Sequence, residues 1–140
     1  MRAIQVSSAG ADFELVHKEI PEPKDNEVLI KVEACGICHG DAVTKEGRYP
    51  GIVYPRVPGH EVVGRIHKLG PDVAFWEIDQ RVGVGWYGGP CLICDACRRG
   101  DFDNCVSTLT PGISFDGGYA EYMAVSTLAL ALIPAKFDAL

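Results

Sequence analysis

The chain has 140 residues, 47% of them hydrophobic, and carries 13 Lys+Arg against 19 Asp+Glu for a formal net charge of −6. This length holds one domain with a real core and is short for two, and an acidic balance without a Lys/Arg cluster argues against nucleic acid or a membrane surface as partner. No apolar run reaches the ~18 residues of a membrane helix and the N-terminus lacks a signal-peptide apolar region, so the expected location is the cytoplasm.

In chain order, Phe13, Leu15 and His17 alternate with Glu14, Val16 and Lys18 until Pro21 and Pro23 interrupt, which predicts a half-buried strand. Asp25-Asn26 turns the chain into a second strand over 27–34, where β-branched residues alternate with Lys31 and Glu33. A short helix is expected over 41–46, stopped by Gly47. Pro50, Pro55 and Pro58 stiffen the following loop, which delivers His60 to a fixed place. Strands are predicted over 62–67 and 81–86, with Gly64, Gly83 and Gly85 marking bends of a strongly curved sheet. Asp116-Gly117-Gly118 reads as a turn before a strand at 119–125, and 127–133 as a strand or buried segment ended by Pro134. Short strands with frequent Gly and Pro turns predict a mainly β (α+β) domain built as a barrel, without internal repeats or linkers.

Two clusters carry chemistry. Cys38-His39-Gly40-Asp41 followed by Gly59-His60-Glu61 gathers a thiolate, an imidazole and carboxylates, the mixed donor set of a catalytic zinc that keeps one position open. Cys91-x2-Cys94-x2-Cys97-x7-Cys105 offers four thiols, a closed tetrahedral zinc site that would pin a lobe at about 90–105. That lobe's Arg98-Arg99-Gly100-Asp101 composition cannot form a core by itself. An iron–sulfur motif begins the same way, but its fourth cysteine follows sooner and precedes a proline. In a reducing compartment six cysteines favour metal over a disulfide framework, which stays as the minor alternative. Gly83-x-Gly85-x-x-Gly88 formally matches a dinucleotide fingerprint, yet Gly89-Pro90-Cys91 stands where that motif must open a helix. Cys35 reads as a small buried hydrophobe, and His17 and His67 as ordinary strand residues.

Cys35-Gly36-Ile37-Cys38-His39-Gly40-Asp41, Gly59-His60-Glu61 and the four-cysteine lobe together resemble the zinc-dependent medium-chain alcohol dehydrogenases over nearly the whole chain. The resemblance implies that residues 1–140 form a GroES-like β-barrel catalytic domain with short helices, beside a nucleotide-binding domain for NAD or NADP that this chain does not contain. It implies Cys38, His60 and Glu61 around a catalytic zinc, with Asp41 orienting His60, and a structural zinc on Cys91, Cys94, Cys97 and Cys105. His39 matches a position near the cofactor pyrophosphate, while Trp86 and Tyr49 match the substrate-pocket wall. The implied reaction is NAD(P)-linked interconversion of small alcohols and aldehydes or ketones by hydride transfer, in a complete enzyme that is a homo-oligomer. One departure is Gly40, where many members carry Ser or Thr as a proton relay; Gly40→Ser is therefore expected to retain activity with an altered pH profile. In that family a third firm zinc ligand is a cysteine at the edge of the other domain. Pro134 to Leu140 reads as the start of a helix that breaks off, so the expectation is a fragment of a longer enzyme, inactive alone. A free-standing zinc-binding module with an assembly role is the alternative.

Overall fold

The computed structural model describes residues 1–137. Its strands are β1 (Arg2–Val6), β2 (Phe13–His17), β3 (Glu27–Cys35), β4 (Val62–Leu69), β5 (Arg81–Val84), β6 (Tyr122–Ser126) and β7 (Leu130–Leu132). Helices α1 (His39–Glu46) and α2 (Asp95–Arg98) accompany 3-10 turns at Phe102–Asn104 and Thr127–Ala129. Strands β1 and β2 form a hairpin, and the other five form an antiparallel sheet in the order β6-β3-β4-β5-β7. Irregularities between Leu29 and Ile30 and between Val32 and Ala34 break the β3–β4 ladder. Such bulges add local twist, and the sheet curls into a half-barrel, the mainly β architecture that the sequence predicts.

Period-two patterning decides which side is inside. Val28 and Ile30 of β3, Val82 and Val84 of β5, and Met123 and Val125 of β6 all face the core, where Val62 and Ile66 of β4 join them. Each fully buried aliphatic side chain of this kind contributes about 1.5–3 kcal/mol by leaving water.

The structure differs from the sequence reading mainly at element ends. Strand β1 was not predicted, because its buried residues Ala3 and Val6 are three apart and do not alternate. It pairs with β2 and also bridges across the chain, Ala3 to Ala120 and Val6 to Arg56. Strand β5 ends at Val84, and β6 starts at Tyr122, three residues later than expected. The 127–133 segment divides into a 3-10 turn and β7. After Pro134 the chain makes a turn, closed by the Phe137 N–H donating to the Pro134 carbonyl at 3.1 Å; the rest of the helix expected there lies outside the described residues. Among the described residues no helix is long and apolar enough to cross a membrane.

The loop that brings His60 into place is clamped by the Asp116–Tyr119 turn. Asp116 accepts from the Val57 N–H at 3.1 Å, and the N–H groups of Gly117, Gly118 and Tyr119 donate to the carbonyls of Val57, Gly59 and Pro58. Position 117 must be glycine, since a Cβ there would lie 2.2 Å from the Gly59 carbonyl oxygen.

Candidate metal centres

Helix α1 and the mixed cluster are built from the same atoms. Cys38 is the N-cap residue of α1: its sulfur accepts from the Gly40 N–H at 3.1 Å, while Asp41 Oδ2 accepts from the Cys38 N–H at 3.0 Å. This is a capping box with sulfur in the place of the usual hydroxyl. It fixes the thiol and the carboxylate in one geometry, and it starts the helix at His39, two residues before the expected position.

The Pro-rich loop then sets His60 against this helix end. His60 Nε2 lies 3.1 Å from Cys38 Sγ, and Nδ1 lies 3.5 Å from Asp41 Oδ1, with both residues at least 95% buried. Asp41 Oδ1 also accepts from the Gly59 N–H at 3.0 Å. A carboxylate on one ring nitrogen fixes the tautomer that leaves the other nitrogen's lone pair free. Here that free lone pair points at the sulfur. Donor atoms of Cys38, Asp41 and His60 all fall within 4.8 Å of one another, a spacing that admits a metal ion among soft and borderline ligands.

The ring of Trp86 meets His60 edge to face, with centroids 4.8 Å apart and planes at 85°, so Trp86 stands beside the cluster. Glu61 does not join it. Its side chain is exposed and lies over Gly36, where a Cβ would come within 2.3 Å of Oε2. His39 is the exposed first residue of α1, and Tyr49 is exposed just past the Gly47 cap. A cavity of about 760 Å³ opens on Cys38 and Asp41 between the β1–β2 hairpin and α1; Ile4, Val32, Ile37 and Tyr119 line it, whereas Trp86 and Tyr49 do not. Cys35 is half-buried beside it, and burial, with smaller opposing and reinforcing contributions from Glu61 and Asp41, pushes its thiol up from 9.0 to about 11.

The second cluster is closed. Sulfurs of Cys91 and Cys97 are 3.9 Å apart and those of Cys94 and Cys97 are 3.5 Å apart, close to the ~3.8 Å edge of a tetrahedron with ~2.3 Å metal–sulfur bonds. All six cysteines are free thiols, so no disulfide framework is present. The Cys105 sulfur accepts from the backbone N–H groups of Cys91 at 3.3 Å and Ser107 at 3.4 Å, which holds its thiol down at about 6. Burial, and then hydrogen bonding with neighbouring cysteines, pushes Cys97 up to about 12, while backbone N–H groups lower Cys94. Four convergent sulfurs, two with thiols held down by backbone N–H groups, suit a cation that takes them all as thiolates. Backbone bonds between Gly88 or Gly89 and Leu109 close the lobe a few residues outside the expected 90–105 range.

Residues 83–90 contain no helix after the Gly83-x-Gly85-x-x-Gly88 run, so the dinucleotide fingerprint is a chance match. His67 is exposed on β4 against Tyr122, and His17 is exposed on β2. Tyr119 was missed by sequence reasoning. In Gly117-Gly118-Tyr119 only the turn signal was visible, although the phenol hydroxyl is buried near Asp41.

The chain matches the family described as the alcohol dehydrogenase GroES-like domain over residues 24–135. It is 43% identical over 129 residues to alcohol dehydrogenase patD of Aspergillus clavatus, covering 92% of this chain and 33% of that protein. It superimposes on a solved NAD-dependent alcohol dehydrogenase with a TM-score of 0.91 at 27% identity, covering 99% of this chain and 41% of the other. A cobalt- and zinc-bound thermostable alcohol dehydrogenase from Pyrobaculum aerophilum gives a TM-score of 0.88 at 32% identity, with coverage of 97% and 42%. This chain therefore spans about a third of the length of the curated relative quoted, 33%.

Proposed function

Because this chain belongs to the alcohol dehydrogenase GroES-like domain family, we propose that it is the catalytic domain of a zinc-dependent oxidoreductase. The reaction proposed is interconversion of small alcohols and aldehydes or ketones with NAD or NADP. The observation that carries this reading is the meeting of Cys38 Sγ and His60 Nε2 at 3.1 Å, with Asp41 on the far side of the imidazole.

Cys38 and His60 would hold the catalytic zinc, and Cys91, Cys94, Cys97 and Cys105 a structural one. The catalytic ion, when bound, supplies Lewis-acid polarisation of an alcohol oxygen, which makes the alcohol easier to deprotonate and so a better hydride donor. The residues around it do the positioning. Asp41 fixes the imidazole tautomer and aims Nε2. Trp86 packs against His60, and Trp86 and Tyr49 would serve as substrate-pocket wall, a role that the resemblance alone supports. His39, exposed at the N-terminus of α1, would meet the cofactor's pyrophosphate, since helix N–H groups favour an anion. Glu61 can approach the metal only by leaving its place over Gly36.

Hydride transfer needs nicotinamide held against the alcohol carbon. We assign that task to a nucleotide-binding domain outside this chain, in a homo-oligomeric enzyme. The test is alcohol-dependent reduction of NAD and NADP by the intact protein. His60→Ala should lower turnover at least a hundredfold while the four-cysteine lobe keeps its zinc; turnover within a few-fold of the parent would contradict the assignment.

A further inference from the structure

We infer that Tyr119 is a positioning residue of the mixed site: its buried hydroxyl donates to the Asp41 carboxylate and thereby steadies His60 as a ligand. The inference rests on the metal reading of that site.

Three observations carry it. The Tyr119 hydroxyl oxygen is fully buried and makes no hydrogen bond of ordinary geometry, so it is an orphaned donor in need of a nearby acceptor. The ring is seated where the acceptor is: Tyr119 packs on Gly59, close enough that a Cβ there would lie 2.7 Å from Cδ1, and the Gly59 N–H itself donates to Asp41. Tyr119 and Asp41 also line the same cavity beside Cys38.

The carboxylate has room for this bond. An ionised carboxylate offers about four lone-pair sites. The N–H groups of Cys38 and Gly59 take two, and His60 Nδ1 faces Oδ1 for a third. The phenol completes the set. A phenol carries one O–H and a carboxylate oxygen accepts it, so Tyr119 is the donor of the pair. Four donors around a carboxylate that is 97% buried hold it in one orientation against the imidazole.

The test uses the intact protein with zinc already in the four-cysteine lobe, titrated with Co(II), whose visible band reports the mixed site. Tyr119→Phe keeps the ring over Gly59 and removes only the oxygen. It should weaken Co(II) binding at Cys38 and His60 by about tenfold and shift the band. Unchanged affinity and band in a protein that does load this site would overturn the inference alone. A parent that takes up no Co(II) beyond the lobe would overturn the metal reading as well. A second measurement does not depend on the variant folding. In the parent, the Tyr119 hydroxyl proton should give an NMR resonance protected from exchange; exchange as fast as that of a solvent-facing phenol would overturn the bond.

Discussion

At position 40 a side chain would collide with the site itself. A Cβ there would lie 2.8 Å from His60 Cε1 and 3.0 Å from both His60 Nε2 and Trp86 Cζ3. These are buried or packed rings, so they cannot move aside cheaply. Gly40→Ser, expected from the sequence to retain activity with an altered pH profile, therefore needs a shift of the His60 or Trp86 ring, and it should change metal affinity at the mixed site by a few-fold. Co(II) competition would check this, and parental affinity would contradict it. Cys35 makes a different residue-scale prediction. Its thiol, raised from 9.0 to about 11, carries roughly a hundredfold less thiolate near pH 8 than an ordinary cysteine. Peptide-mapped alkylation should find it slow at pH 8 and still accelerating above pH 9, where an ordinary thiol levels off. The folded form favours the protonated thiol, so the contribution to stability is full below about pH 9 and declines as pH rises toward 11. Labelling at the rate of a free thiol at pH 8 would show that burial does not protect it.

Among the elements, legibility in the sequence followed the regularity of the pattern. Strand β3 was plain because Val28, Ile30 and Val32 alternate with charged neighbours beyond Leu29. Strand β1 was invisible because its inward positions are set by two partners, β2 on one side and the bridges to Ala120 and Arg56 on the other. The start of α1 was missed for a chemical reason: Cys38-x-x-Asp41 caps the helix through sulfur, and a thiol is not in the usual list of capping side chains. The lobe was legible from cysteine spacing, but its edge was not, because backbone bonds from Gly88 and Gly89 to Leu109 leave no trace in side-chain identity. This gives a test at the same scale. Cys94→Ser should remove amide-exchange protection from Gly100, Asp101, Cys105 and Leu109, whose N–H groups bond within the lobe, and leave β3 and β4 protected. Equal loss across the sheet would mean that the lobe is part of the same cooperative unit as the core.

At the scale of the whole molecule the two candidate metal centres differ in what the chain provides. Cys91, Cys94, Cys97 and Cys105 converge as four sulfurs, and backbone N–H groups hold the thiols of Cys94 and Cys105 below their ordinary value. Among the described residues the mixed site offers one thiol and one imidazole. Asp41, the third group within reach, has both oxygens engaged by the N–H groups of Cys38 and Gly59, and Glu61 lies away over Gly36. Of this site, the residue types were legible in the sequence. The diversion of Glu61 and the burial of Tyr119 were not, since both depend on how the 58–60 loop and the 116–119 turn lock together. A four-thiolate site should hold zinc far more tightly than a pair of donors with open positions. Whether the four cysteines hold a metal tightly while Cys38 and His60, among the described residues, hold one weakly is read by metal analysis of the purified chain at neutral pH after mild chelation. The account predicts one equivalent of zinc, lost on replacement of Cys94 and kept on replacement of Cys38; two equivalents that survive chelation, or retention that depends on Cys38, would contradict it.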